Sequence, residues 1–314
     1  TSTPNMLISQ IDIVTPYEKK QILFDFNNTK TQYPKDKTVA ELFEEQVRLS
    51  PSKNAVFFEG NYMTYKELNE KANQLANTLL KNNVKSGNVV SLFMEKSIES
   101  IIAILATLKI GAAFLPLDVE YPKERIDYIL SNSETKLILT TKNFENGIIT
   151  NIPKLCVDLS NKKIYNNSVS KANLNIIGLP EDMAYIMYTS GSTGNPKGVA
   201  LRRLGIINMI LSYKNILHTD DCNVFLSMSA VSFDMFIVEN FVRGKTVVLC
   251  NDEEQKIPVY TNNLIKKYDV NFILTTPTRI NLLLSSISDI SNWKSVKVVQ
   301  VGGEVFTSEL YNHL

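Results

Sequence analysis

Short apolar runs alternate with helix-length amphipathic segments along most of this chain, and that alternation limits its fold more than any other feature. Val89–Met94, Ala113–Leu117 and Lys136–Thr140 read as buried strands, with helical spacing at Ser97–Leu108 and Pro122–Leu130 between them. The pattern resumes at Ala184. Strands at Ala184–Tyr188, Val224–Met228, Thr246–Cys250, Phe272–Leu274 and Val296–Val301 are separated by helices at Ile206–Asn215, Asp234–Phe241, Pro258–Lys267 and Pro277–Leu284. Parallel strands need crossover helices on the faces of their sheet. The pattern therefore predicts an α/β fold with mostly parallel sheets covered by helices. Ligands in such folds sit beyond the carboxyl ends of strands. The notable loops lie at such ends: residues 189–197, residues 229–234 and Gly302-Gly303-Glu304.

Helix starts divide the chain further. Thr15-Pro16-Tyr17-Glu18, Thr38-Val39-Ala40-Glu41 and Thr64-Tyr65-Lys66-Glu67 each have a hydroxyl followed three residues later by a carboxylate, the spacing of a capping box. A Gly60-Asn61 turn joins strands at Ala55–Phe58 and Tyr62–Met63. The resulting division is a lead-in over 1–37, a first α/β subdomain over 38–183 and a second, incomplete one over 184–314. A polar stretch from Thr141 to about Leu179, rich in Asn and Lys, is expected to be mobile apart from a strand at Lys154–Val157.

Composition narrows the function. Lys and Arg total 33 against 32 Asp and Glu, a net charge of +1 that argues against a nucleic-acid binder. The three cysteines, Cys156, Cys222 and Cys250, form no C-x-x-C, so neither a disulfide framework nor a structural zinc site is expected, and a reducing compartment fits. A catalytic triad or metal site built on histidine would have to use His218 or His313, and no metal site is expected. No signal peptide is read at the start. The longest apolar stretch, Ile101–Leu117, is broken by Lys109 and Pro116 and reads as a buried helix and strand, not a membrane span. The expected location is the cytoplasm, with no membrane partner.

The strongest chemical signal is Thr189-Ser190-Gly191-Ser192-Thr193-Gly194-Asn195-Pro196-Lys197-Gly198, directly after an apolar strand. Glycines let the backbone approach a ligand. Free N–H groups and hydroxyls donate to phosphate oxygens, and Lys197 adds a compact positive charge. The plain alternative is a flexible Gly/Ser loop. The P-loop pattern G-x-x-x-x-G-K-[ST] fails, because Pro196 precedes the lysine and Gly198 follows it.

Read through Val199, this string resembles the phosphate-gripping loop of the adenylate-forming enzymes. Thr64-Tyr65-Lys66-Glu67-Leu68-Asn69 is similar to the first core motif of their adenylation domains. The segment from Leu108 through Gly111-Ala112-Ala113 to Asp118, followed by Tyr121-Pro122, is similar to the second. Phe233-Asp234 resembles the fourth, and Val301-Gly302-Gly303-Glu304 the segment before the fifth. The lead-in resembles the linker between a condensation and an adenylation domain. The ordered set covers nearly the whole chain and points to the N-terminal part of an adenylation domain of a nonribosomal peptide synthetase.

The resemblance implies ATP and Mg²⁺ as cofactors, an amino-acid substrate, a carrier protein bearing phosphopantetheine and an upstream condensation domain. It implies that Thr189, Ser190, Gly191, Ser192, Thr193, Gly194 and Lys197 hold the ATP phosphates, and that Gly302, Gly303 and Glu304 lie near the adenine. On its own, Asp234 reads as a helix first-turn aspartate. The resemblance makes it the partner of the substrate's α-ammonium, with Met235, Val238, Leu274, Val299 and Val301 as further pocket positions. All five are apolar, so an apolar substrate side chain is expected. Two departures from the family stand out. Glu239 to Gly244 is several residues shorter than usual, and the sequence stops at Leu314, before the family's catalytic lysine. A fragment of this extent is expected to be inactive alone. The alternatives are a stand-alone D-alanine–carrier-protein ligase, an acyl-CoA ligase, or a non-catalytic scaffold fragment.

Overall fold

The computed structural model describes residues 7, 13–175, 178–189, 195–217, 219–229, 236–286 and 290–313. Thr1–Pro34 make one compact unit and Lys35–Leu314 another. The lead-in expected over 1–37 thus ends slightly earlier. In the first unit, helix α1 (Pro16–Lys20) starts on the expected box. The Thr15 hydroxyl accepts from the Glu18 N–H, and the Thr15 N–H donates to the Glu18 carboxylate at 2.8 Å. A π-helical turn, Gln21–Asp25, follows. The Asn27 side chain closes it by donating to the carbonyls of Ile22 and Leu23.

The second unit opens with α2 (Val39–Leu49), the hairpin strands β1 (Asn54–Phe58) and β2 (Asn61–Thr64), and α3 (Tyr65–Lys81). Then come β3 (Val89–Phe93), α4 (Ile98–Lys109), β4 (Ala113–Leu117), α5 (Lys123–Asn132), β5 (Thr135–Thr140) and β6 (Lys154–Cys156). The strands β7 (Met183–Thr189) and β8 (Lys197–Arg202) precede α6 (Arg203–Leu217), β9 (Val224–Ser227), α7 (Phe236–Val242) and β10 (Thr246–Leu249). The chain closes with α8 (Asp252–Lys256), α9 (Pro258–Lys267), β11 (Phe272–Thr275), α10 (Pro277–Ser285), β12 (Val298–Val301) and α11 (Ser308–His313).

These strands form two six-stranded sheets. Sheet I runs β12-β11-β9-β10-β1-β2 and sheet II runs β6-β5-β3-β4-β7-β8. Every pairing is parallel except the two edge hairpins, β1–β2 and β7–β8. The fold class matches the expectation, but the division at residues 183 and 184 does not follow the sheets. The early hairpin β1–β2 joins sheet I through β10, and β7–β8 joins sheet II through β4. A two-stranded hairpin is marginal alone and takes whichever sheet edge its apolar face fits. For β7 that fit includes the Tyr185 ring, stacked on Phe114 with centroids 5.4 Å apart.

Between the sheets lies a helical layer. Every residue of α4 except Glu99 is buried. A helix apolar all round must be enclosed on all sides, and α4 touches α2, α3 and α7 as well as β1, β3 and β4. Two residues of the expected core motifs explain themselves here. A Cβ on Gly111, where φ is +81°, would lie 2.5 Å from the Ser86 hydroxyl. Tyr65 is fully buried, and its hydroxyl donates to the Lys245 carbonyl at 2.6 Å.

The polar stretch expected to be mobile is instead seated on α3. Asn69 and Asn73 both donate to Asn173 Oδ1, and Gln74 donates to the Asn166 carbonyl at 2.6 Å. Ile164 and Val169 within it are buried.

Lys109 carries a charge into the helical layer. Its side chain is 1% exposed and pairs with Glu44 of α2. Burial pulls its ammonium below the usual lysine range, and Glu44 pulls it back up. Removing one partner of a buried pair strands the other charge at a cost of about 3–5 kcal/mol, whereas an apolar replacement of both is near neutral. Glu44→Ala is therefore expected to lower the unfolding free energy by about that amount. The double change Glu44→Leu, Lys109→Met should recover most of it in urea titration.

Candidate functional site

The expected phosphate loop closes the edge hairpin of sheet II. Strand β7 ends at Thr189 and the chain returns antiparallel as β8, which starts at Lys197. Thr189 faces Lys197 across the ladder, and Tyr188 faces Gly198. Both ends of the loop are therefore fixed by strand pairing, and Lys197 stands exposed at its mouth. Ser190, Gly191, Ser192, Thr193 and Gly194 lie outside the described residues. Sequence reasoning places a loop at this point and misses β8. The apolar run Val199-Ala200-Leu201 after Gly198 was the available signal, muted because the strand is an exposed edge.

Gly198 holds this hairpin by its size. A Cβ there would lie 3.0 Å from Tyr188 Cζ and 3.3 Å from a methyl of Ile186. The bare backbone lets the Tyr188 ring lie across it, and the Tyr188 hydroxyl donates to Asn132 Oδ1 at 2.6 Å. That bond ties the loop's incoming strand to the end of α5.

At the far edge of sheet I, β12 runs into Gly302-Gly303-Glu304. The Gly302 N–H donates to the Thr275 carbonyl at 3.2 Å, and Gly303 turns the chain with φ of +85°. The turn brings the Glu304 carboxylate onto the start of α10, where it accepts from the Thr278 N–H at 3.0 Å and from the Thr278 hydroxyl. Those two bonds, the hydroxyl's first, hold the carboxyl below its usual 4.5. Glu304 is thus occupied as a helix-start anion.

The expected pocket residues do not share one face. In β11 and β12, Ile273 pairs with Val299, Leu274 with Gln300 and Thr275 with Val301. Side chains alternate along a strand. Val299 and Val301 pack with Leu226, Ile273, Ile280 and Leu283 in the outer core under α9 and α10. Leu274 packs with Cys222, Phe225 and Phe272 on the opposite, inner face. Helix α7 belongs to that inner side, since it touches α2 and α4, and Arg243 just after it lies over the Phe225 ring. Val299 and Val301 thus differ from Leu274 by one residue of strand parity.

The residue beside Leu274 is Gln300. Its side-chain oxygen is buried with no hydrogen-bond partner among the described residues. A glutamine between valines was the sequence signal for it. Val238 belongs to α7, the helix of the inner side. Asp234 and Met235 lie outside the described residues, just before that helix. Among the described residues no cluster of three His, Cys, Asp or Glu could hold a metal, and no helix is long and apolar enough to cross a membrane.

Known proteins are similar to this chain. Residues 43–314 match the family model of the AMP-binding enzymes. Tyrocidine synthase 3 of Brevibacillus parabrevis is 37% identical over 312 residues, 98% of this chain and 5% of the synthase. Gramicidin S synthase 1 of Brevibacillus brevis is 40% identical over 245 residues, 77% of this chain and 22% of that protein. A crystal structure of the nonribosomal peptide synthetase FmoA3, in its AMPPNP-bound form, is similar with a TM-score of 0.86 at 25% identity, over 96% of this chain and 32% of that one. The chain belongs to the AMP-binding enzyme family, and it spans only 5% of the length of tyrocidine synthase 3 and 22% of gramicidin S synthase 1.

Two outcomes test the geometry. Gly198→Ala overpacks the Tyr188 ring and should destabilise the fold by about 1–3 kcal/mol in denaturant titration. The Glu304 cap has a depressed folded-state pKa. Its contribution is full above the unfolded value of 4.5 and is lost as pH falls through the lower folded value. Glu304→Gln should therefore melt below wild type at neutral pH and level with it at about pH 2.

Proposed function

We propose that this chain is the N-terminal part of an adenylation domain that activates an amino acid in nonribosomal peptide synthesis. The substrate carboxylate attacks the α-phosphorus of ATP, the bond to the β-phosphate oxygen breaks, and pyrophosphate leaves an aminoacyl adenylate. The acyl group then passes to the phosphopantetheine thiol of a carrier protein, releasing AMP. Thr189–Lys197 holds the β- and γ-phosphates. The Gly302-Gly303 backbone lies near the adenine, with Glu304 bracing the turn. Asp234 takes the α-ammonium, and Met235, Val238, Leu274 and Gln300 line the side-chain pocket. Mg²⁺ arrives on the ATP phosphates, the usual way such sites hold it.

The observation that carries this reading is the hairpin that pairs Thr189 with Lys197 at the two ends of a glycine–hydroxyl loop. The names of the relatives, tyrocidine and gramicidin synthases, support the choice of amino acids over other acids. An upstream condensation domain accords with the lead-in. A cytoplasmic setting accords with three unbridged cysteines. With Leu274 and Val238 apolar and Gln300 beside Leu274, the preferred side chain is mainly apolar with room for one polar contact.

Pyrophosphate exchange with a panel of acids, run on the full-length enzyme, tests this. Exchange should follow an uncharged amino acid, and an acyl-CoA ligase would respond to acids lacking the amine instead. Asp234→Ala should lose about 3–5 kcal/mol of amino-acid-dependent activation. Unchanged exchange in that variant refutes the assignment.

A further inference from the structure

Strand β8 is the edge of sheet II and pairs with β7. The place of Lys197, its first residue, is therefore set by β7. Strand β7 in turn joins the rest of the sheet through the Phe114–Tyr185 pair, three residues before Tyr188. The last two rungs, Tyr188–Gly198 and Thr189–Lys197, pair within the hairpin. The Tyr188 ring lies across Gly198, where a Cβ would stand 3.0 Å from its Cζ. Beside the ring is an open cavity of about 300 Å³, lined by Val89, Asn132, Ile186, Tyr188 and Gly198. Packing alone thus leaves the ring room to swing off Gly198. What holds its far end is the 2.6 Å bond from the Tyr188 hydroxyl to Asn132 Oδ1. Asn132 is the last residue of α5, whose Ile126, Ile129 and Leu130 are buried in the core beneath.

We propose that Tyr188 and Asn132 are positioning residues for ATP capture, their bond anchoring the hairpin end to α5 so that Lys197 stands where the nucleotide's phosphates arrive. The proposal rests on Lys197 being a phosphate ligand. Asn132 ties down Tyr188, Tyr188 covers Gly198, and Gly198 follows Lys197 directly. Burial raises the Tyr188 phenol above its usual 10, so the hydroxyl keeps its proton and donates throughout the neutral range. An edge strand has a partner on one side only, and a contact outside the ladder is what fixes its end. Lys197 exposed and unheld would pay an ordering cost when it meets phosphate, and an anchored strand reduces that cost in advance.

The test is steady-state pyrophosphate exchange on the full-length enzyme. Tyr188→Phe keeps the ring and drops the bond, and it should raise the ATP KM about 3- to 10-fold, the range for one neutral hydrogen bond. The amino-acid KM and kcat should stay within about twofold. Asn132→Leu should match it. Asn132→Asp, whose carboxylate still accepts from the phenol, should keep the wild-type ATP KM. The double variant Tyr188→Phe, Asn132→Leu should lose no more than either single one, because both remove the same bond. A wild-type ATP KM in either single variant, an equal rise in both KM values, or multiplying effects in the double variant overturns the proposal. If Lys197→Ala raises the ATP KM and Tyr188→Phe does not, the anchor alone falls. If Lys197→Ala leaves the ATP KM unchanged, the phosphate reading of Lys197 falls and takes the anchor with it. Should Tyr188→Phe fail to fold, Asn132→Leu at the exposed end of α5 carries the same test, and an unchanged ATP KM there overturns the anchor.

Discussion

Everything in the larger unit is built around the enclosure of α4. Eleven of its twelve residues are buried, so the helix is stable only when both sheets and its neighbouring helices are in place. Burial of apolar surface is the main favourable term in folding, and here one helix provides it to two sheets at once. The relative position of the sheets is consequently a matter of packing density. The Thr189–Lys197 pair lies at the edge of one sheet and Leu274 on the inner face of the other. Their separation is inherited from the helical layer.

Several residues that mark the adenylation motifs serve this layer and not the chemistry. Thr64 and Glu67 cap α3 reciprocally. Tyr65 bonds two carbonyls at the end of α7 and the start of β10. Lys109 neutralises Glu44 within the layer, and Gly111 clears Ser86. Motif spacing therefore records how the scaffold is assembled as much as where ligands bind.

Local signals were legible in the sequence. The boxes at Thr15, Thr38 and Thr64 start helices where expected, and each parallel strand lies within a residue or two of its apolar run. Sheet membership was not legible, because β1 and β7 find partners far away in sequence and no local property names those partners. Which face Val299 and Val301 take was not legible either. It is set by pairing with β11, and the Leu274–Gln300 register reveals it. The polar stretch over α3 misled because its asparagines look solvated until the buried amides of Asn69, Asn73 and Gln74 are set beneath them.

The bond from the Thr246 hydroxyl to the Asn54 carbonyl joins residues 192 apart. Until β10 emerges from the ribosome, the β1–β2 hairpin has an unsatisfied edge and no sheet to join. At about 5–20 residues per second that wait lasts roughly 10–40 s. Long-range pairing of this kind slows folding, and it leaves an open strand edge available to other nascent chains. Synthesis therefore places its greatest demand on chaperones while this domain is half made.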